Sequence, residues 1–163
     1  MKLAWKLALL LVLSGGSLLL GQAAPGSSAG NPPEDYSGMY TFLREGEFVQ
    51  ITVEDGGRVT GFVSRYGDGE SDRGAFLDQF FKQGKLDGKK LAFITETVHG
   101  VWFDFAGICD RGEGKTPADD AYHLVKGKLT EFRTDSGQKK PTEKTQEVTF
   151  KSFPRDLEVP PRD

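Results

Sequence analysis

The stretch from Tyr40 to Val63, YTFLREGEFVQITVEDGGRVTGFV, decides the fold. Apolar and polar residues alternate on either side of two glycine-containing turns, the period-two pattern of half-buried strands. A first turn at Glu45-Gly46 pairs Arg44 with Glu47, Phe42 with Val49 and Tyr40 with Ile51, and gives one apolar face. A second, three-residue turn at Asp55-Gly56-Gly57 pairs Glu54 with Arg58, Val53 with Val59, Ile51 with Gly61 and Val49 with Val63, and continues that face. Gln50, Thr52, Glu54, Arg58 and Thr60 occupy the reverse, where a Glu-Arg and a Thr-Thr pair meet. A slip of one residue would turn every side chain over. Agreement across three strands therefore specifies an antiparallel meander.

Downstream, Asp87-Gly88 joins a run from Phe80 to Leu86 to a run from Lys89 to Val98, with Phe81 opposite Ile94. A turn at His99-Gly100 then sets Val98 against Val101, Glu96 against Phe103 and Ile94 against Phe105. Thr95, Thr97, Trp102 and Asp104 share the other face. A seventh run extends from Tyr122 to Phe132 and an eighth from Glu147 to Phe153, with the polar stretch Thr134 to Lys144 as the loop between them. Ser71-Asp72 ahead of Ala75-Phe76-Leu77 reads as a short capped helix near 72–79. The expected fold is all-β, an antiparallel up-and-down meander of about eight strands closed as a barrel. At that strand number the interior is either filled by side chains or holds one small ligand.

Outside this unit the chain changes character. Lys2 and Lys6 precede an apolar run from Leu7 to Leu20 that ends in Gly21-Gln22-Ala23-Ala24, so residues 1–23 read as an export signal. The run is about 14 residues and is broken by Ser14-Gly15-Gly16, short of the roughly 20 that span a bilayer. No cysteine follows it for lipid attachment at a lipoprotein-type processing site. The expected address is secreted or periplasmic, with no membrane span in the mature chain. Residues 24–36, rich in Gly, Ser, Ala and Pro, read as a flexible leader, 37–154 as the barrel domain and 155–163 as a disordered tail. Lys and Arg number 21 against 24 Asp and Glu, and loss of the signal removes two lysines and no acids. That acidic balance argues against nucleic acid and anionic membrane surfaces as partners. Cys109 is the single cysteine, so no intramolecular disulfide forms and stability rests on a packed core.

Most motifs that suggest chemistry are incomplete. Gly114-Lys115-Thr116 carries the end of a phosphate-binding loop, but Cys109 stands where that loop needs its first glycine, and Pro117 follows where it needs a helix. Asp68, Glu70 and Asp72 have the alternate spacing of calcium ligands, yet Arg73 and Gln79 replace the glycine and glutamate of an EF-hand. His99 and His123 are the only histidines, which leaves a mixed histidine-carboxylate metal site open and removes a three-histidine one. Cys109 reads as a small buried hydrophobe, with a nucleophile or an intermolecular disulfide as alternatives. Glu96, flanked on its face by Ile94 and Val98, reads as a rim or ion-paired carboxylate with Lys126 as a partner, or as a ligand contact. No titratable pair is fixed by spacing, so a non-enzymatic protein without cofactor or metal is expected.

Gly38-Met39-Tyr40, opening the first strand, resembles the Gly-x-Trp start of lipocalins with Tyr in place of Trp. The pattern from Gly38 to Phe153 resembles the lipocalin-like, calycin-type barrels as a topology. The resemblance implies a cavity for a small molecule. Trp5 and Trp102 are too few for the tryptophan-lined pocket of that family's biotin-binding relatives. The expected function is to bind or carry a small apolar molecule, with Tyr40, Phe42, Phe81, Glu96, Phe103 and Phe105 lining the site. Phe93 and Trp102, on the outer face, would form a contact surface. The alternative is a structural or protein-interaction domain with a filled core and no ligand.

Overall fold

The computed structural model describes residues 34–134 and 140–155, so the stretch expected as an export signal and most of those expected as leader and tail lie outside the described residues. Eight strands form one antiparallel sheet in chain order: β1 (Gly38–Thr41), β2 (Phe48–Val53), β3 (Val59–Tyr66), β4 (Phe76–Asp87), β5 (Lys90–Thr95), β6 (Val101–Arg111), β7 (His123–Arg133) and β8 (Thr142–Lys151). The sheet curls until its edges meet in a short seam. There Tyr40 bridges Ser152, Phe153 N–H donates to the Met39 carbonyl at 2.9 Å, and Lys151 N–H donates to Thr41 Oγ1 at 3.0 Å. Helix is confined to one 3₁₀ turn, Asp55–Gly57, among the described residues.

The β2–β3 hairpin has the register that its turn dictates, with Val53 on Val59, Thr52 on Thr60, Ile51 on Gly61 and Val49 on Val63. Gly61 is required in this pairing: its φ is +150°, and a Cβ there would meet the Gln50 carbonyl oxygen. At β1–β2 the predicted register is two residues off. Tyr40 faces Val49, and Phe42 N–H donates to the Glu47 carbonyl at 3.1 Å, so the loop is the wider Leu43–Gly46. The Glu47 carboxylate closes it by accepting from Arg44 N–H at 3.0 Å and Arg44 Nε at 2.8 Å. A shift of two preserves which face each side chain takes, so the apolar face stands as predicted.

Three further expectations are corrected. The stretch 72–79 is not helical: residues from Phe76 onward pair with β3, where Tyr66 faces Phe76, Arg65 faces Leu77 and Val63 faces Gln79. A helix there would leave four β3 partners unpaired, and Gly74, at φ +78°, instead reverses the chain. The β4–β5 register is also different. Asp87 faces Lys90 and Gly84 faces Phe93, and a bulge between Phe81 and Gln83 then sets Phe81 against Thr95. The resulting slip turns β5 over, so Leu91, Phe93 and Thr95 point inward while Ile94 and Glu96 do not. Finally, β8 begins at Thr142, inside the stretch expected as loop, because the end of β7 offers a backbone ladder that exposed polar side chains can join.

Inward positions fill the middle of the barrel. Tyr40, Val49, Ile51, Val63, Leu91, Phe93, Phe103, Phe105, Val125, Leu129 and Phe150 are essentially without solvent contact. Rings touch in succession: Phe81 stacks on Phe93 at 4.3 Å, Phe93 on Phe105 at 5.1 Å, and Phe105 meets Phe150 at 5.5 Å. Phe105→Ala removes one of the most connected of these rings and is expected to cost about 3–5 kcal/mol. Phe80→Ala, on a side chain 56% exposed, is expected to change stability by less than about 1 kcal/mol. Urea unfolding of the two variants against the parent measures both.

Candidate functional site

The two ends of the barrel are built differently. One end is plugged by the segment that precedes β1. Tyr36 is buried against His123, its carbonyl accepts from the Tyr40 hydroxyl at 2.7 Å, and Glu34 bonds His123 Nε2 at 3.1 Å and Arg111 Nε at 2.8 Å. Arg111 in turn lies over the Tyr122 ring at 3.7 Å. Residues Glu34 to Tyr36, which composition assigns to the leader, therefore belong to the folded unit.

At the other end the loops part around a pocket of about 270 Å³. Its apolar wall is Phe42, Leu43, Val101 and Phe103, and its polar wall is Arg44, Glu47, Arg65, Asp68, Glu131, Arg133, Lys144 and Gln146. Two of these charges are buried because strand alternation points them inward. Glu47 stands two residues before Val49 on the inward side of the β1–β2 loop, and Arg65 two residues after Val63 in β3. The Glu47 carboxylate is fully used, since besides Arg44 it accepts Tyr66 N–H at 3.0 Å. Arg133 holds Asp68 with two nitrogens, at 3.2 and 2.7 Å, and Glu131 at 2.9 Å. These hydrogen bonds keep the Asp68 carboxyl below its ordinary pKa and raise that of Arg133.

Arg65 is held from beneath. Its Nε donates to Gln79 Oε1 at 2.5 Å, and Gln79, itself fully buried, donates to the carbonyls of Val101 at 2.8 Å and Glu96 at 3.2 Å. Nη1 donates to the Tyr66 carbonyl at 3.2 Å, and the guanidinium carbon lies 5.9 Å from the Phe103 ring centre. Burial lowers the pKa of Arg65 from the ordinary arginine value, yet a guanidinium remains charged. Among the described residues, Nη2 has no hydrogen-bond partner.

Of the residues expected to line a site, Phe42 and Phe103 line this mouth, while Tyr40 and Phe105 lie in the filled middle of the barrel. Phe81 covers Phe93 beside the β4 bulge. Glu96, expected on the apolar face, is instead exposed, and among the described residues it forms no salt bridge with Lys126. Phe93 is corrected as well, being 1% exposed in the core rather than part of an outer surface. Trp102 does face outward, half-buried under Phe132 in a 5.0 Å stack. A larger outer cluster lies on β2, β3 and β4, where Phe48, Phe62, Phe76, Phe80 and Tyr66 form a connected set of ring contacts. The strand face that carries it was legible, but its continuity required knowing that Phe76 begins a strand.

The remaining candidate groups make contacts within the fold. Asp72 binds His99 Nδ1 at 2.9 Å and joins the β3–β4 loop to the β5–β6 turn. A second hollow, about 730 Å³ and open, lies outside the barrel beside the seam and the β6–β7 loop, where Asp119 accepts the backbone N–H groups of Lys115 and Thr116. Cys109 is buried in the core, and burial pushes its thiol pKa up to about 12.

No protein-family model matches the chain, and comparison with curated proteins finds no match. Solved structures share its fold. The crystal structure of rhizavidin superposes with a TM-score of 0.56 over 77% of this chain and 88% of that one, at 12% identity. The rhizavidin-biotin complex gives 0.54 over 74% and 95%, at 13% identity. Intact apo afifavidin gives 0.53 over 78% and 88%, at 13% identity. The antiparallel up-and-down meander of eight strands expected from the sequence is thus the fold observed, and these structures share it.

Burial also raises Tyr36 to about 12 and moves Tyr40 upward. With Cys109, these groups keep their protons in the folded form at a pH where the unfolded chain has lost them. Unfolding then releases protons above about pH 9, so stability falls as pH rises from 9 towards 12. Urea midpoints read by circular dichroism at pH 8, 9.5 and 11 should fall in that order. The Cys109→Ala and Tyr36→Phe double variant should lose less over the same interval.

Proposed function

We propose that this protein is an exported, non-enzymatic barrel that holds one small molecule in the mouth formed by Phe42, Val101, Phe103 and Arg65. The observation that carries the reading is the mouth itself. Its pocket of about 270 Å³ is close to the lower limit for small-molecule sites, and in it an apolar wall faces a few fixed, buried polar groups. The same fold in the rhizavidin-biotin complex accompanies a small bound ligand, which supports a ligand-binding use of this architecture. The apolar part of the ligand would rest on Phe42 and Phe103, whose rings meet edge to face at 5.3 Å. No tryptophan lines the pocket, so biotin itself is not the molecule proposed. The Lys2–Ala24 pattern supports export.

The outer aromatic cluster on β2, β3 and β4 favours a second reading, a protein-contact face on a barrel whose middle is filled. Phe76 and Phe80 are exposed there by 47% and 56%, more than isolated packing explains. A fragment screen followed by amide chemical shifts separates the two. Saturable shifts confined to Phe42, Leu43, Val101, Phe103 and Gln146 are expected. Shifts that cluster instead on Phe62, Phe76 and Phe80 would move the function to the outer face.

A further inference from the structure

The last strand has an edge that the rest of the sheet leaves open. Lys151 N–H donates to Thr41 Oγ1 and Phe153 N–H to the Met39 carbonyl, both across the seam, while Ser152 N–H donates back to the His123 carbonyl on β7. Backbone groups of successive residues in a strand point to opposite sides, so those of Glu143, Thr145, Glu147 and Thr149 also face the seam. Among the described residues these groups have no hydrogen-bond partner, because β1 ends at Thr41 and the chain turns away into the Leu43–Gly46 loop. We infer that this edge receives an extended peptide, paired with β8 as a further strand and placing alternate side chains in the mouth. Such a strand occupies the place β1 would fill if it ran on, and is therefore antiparallel to β8, as β1 is at the Tyr40–Ser152 bridge. This use of the edge does not depend on a small molecule being bound.

Edge and pocket are continuous. Phe42, Leu43 and Arg44 line the pocket from one bank of the seam, and Lys144 and Gln146 of β8 from the other. An open edge is a template for another strand, and the bank opposite selects a lone segment. A second copy pairing through its own β8 would bring β7 behind that strand and into Leu43 and Arg44. The side chains of β8 define what the peptide carries. On the outer face, Glu143 has no ion-pair partner among the described residues and Glu147 has only Lys128 at 3.9 Å, which calls for basic or hydroxyl residues opposite them. On the inner face, Lys144 has no ion pair among the described residues and calls for an acid, and Gln146 stands beside the apolar wall and calls for an aliphatic residue. The neighbour that β8 already has follows this pattern: Lys128, Leu129, Thr130 and Glu131 face Glu147, Gln146, Thr145 and Lys144. A segment that alternates basic or hydroxyl residues with aliphatic and acidic ones fits the free edge in the same register.

The probe is a synthetic peptide with the sequence of residues 126–133, KGKLTEFR, titrated into the isotope-labelled, unaltered chain while amide shifts and solvent exchange are followed by NMR. Saturable shifts and slowed exchange are expected at Thr145, Glu147 and Thr149. N-methylation of the peptide at Lys128, Thr130 and Phe132, whose N–H groups would face β8, is expected to weaken binding roughly tenfold or more relative to N-methylation at Leu129 and Glu131, whose N–H groups would face away. Equal affinity of the two methylated peptides would overturn the strand pairing. Shifts confined to Phe62, Phe76 and Phe80, or no saturable shift along β8, would overturn it as well. Slow exchange and concentration-dependent shifts along β8 before any peptide is added would overturn it in favour of a second copy on the edge. Thr145→Pro, which removes an edge N–H that β7 does not use, should abolish peptide binding. The two methylated peptides need no variant, so the comparison stands even if Thr145→Pro fails to fold.

Discussion

Six phenylalanine rings hold the walls of the barrel to one another, and most of the other contacts depend on them. Their contacts run from Phe81 through Phe93, Phe105 and Phe150 to Phe42 and Phe103, with centres 4.3 to 5.5 Å apart. The chain starts on β4, passes through β5, β6 and β8, and returns to β6 by way of the segment after β1. It therefore ties together strands that are not neighbours in the sheet, across a seam that has one bridge among the described residues. Aromatic contacts of this kind add roughly 0.5–1.5 kcal/mol each beyond the area they bury. A sheet with so short a seam stays curled because its interior side chains grip each other.

Where the sequence could be read, alternation was the reason. The Asp55-Gly56-Gly57 turn leaves one register that keeps Val49, Ile51, Val59 and Val63 together, and the observed pairs are those. The β1–β2 loop is wider than its Glu45-Gly46 suggested, because a buried carboxylate closes it, but an even shift does no harm to the faces. At β4–β5 the error was odd. Neither the bulge at Phe81 nor the unpaired step at Glu96-Thr97 leaves a mark in composition, and together they exchange Phe93 for Glu96 on the inner face. A single uncounted residue thus moved an aromatic ring from the proposed contact surface into the core.

The mouth was half visible for a related reason. Phe42 and Phe103 follow from their strand positions, whereas Arg65, Glu47 and Gln79 were passed over although they sit at inward positions next to Val63, Val49 and Phe81. A charge that alternation points inward is the signal for such a site. Here it marks the level at which the packed interior ends. Below it the barrel is closed by apolar side chains, and above it arginines and carboxylates pair across the opening, with Arg133 joined to both Asp68 and Glu131.

The seam also sets the order in which the molecule assembles. Seven of the eight junctions join strands that are consecutive in the chain, so each forms by closing a loop of modest length. The eighth, Tyr40 to Ser152, joins the two edges of the sheet and gains nothing until every intervening strand is in place. Topology alone thus favours a progressive rolling-up in which closure comes last, and on that order side chains at the two edges should have φ-values near zero while the β2–β3 hairpin has high ones. The contact that such an order forms last is the one expected to open first, along the line between β1 and β8.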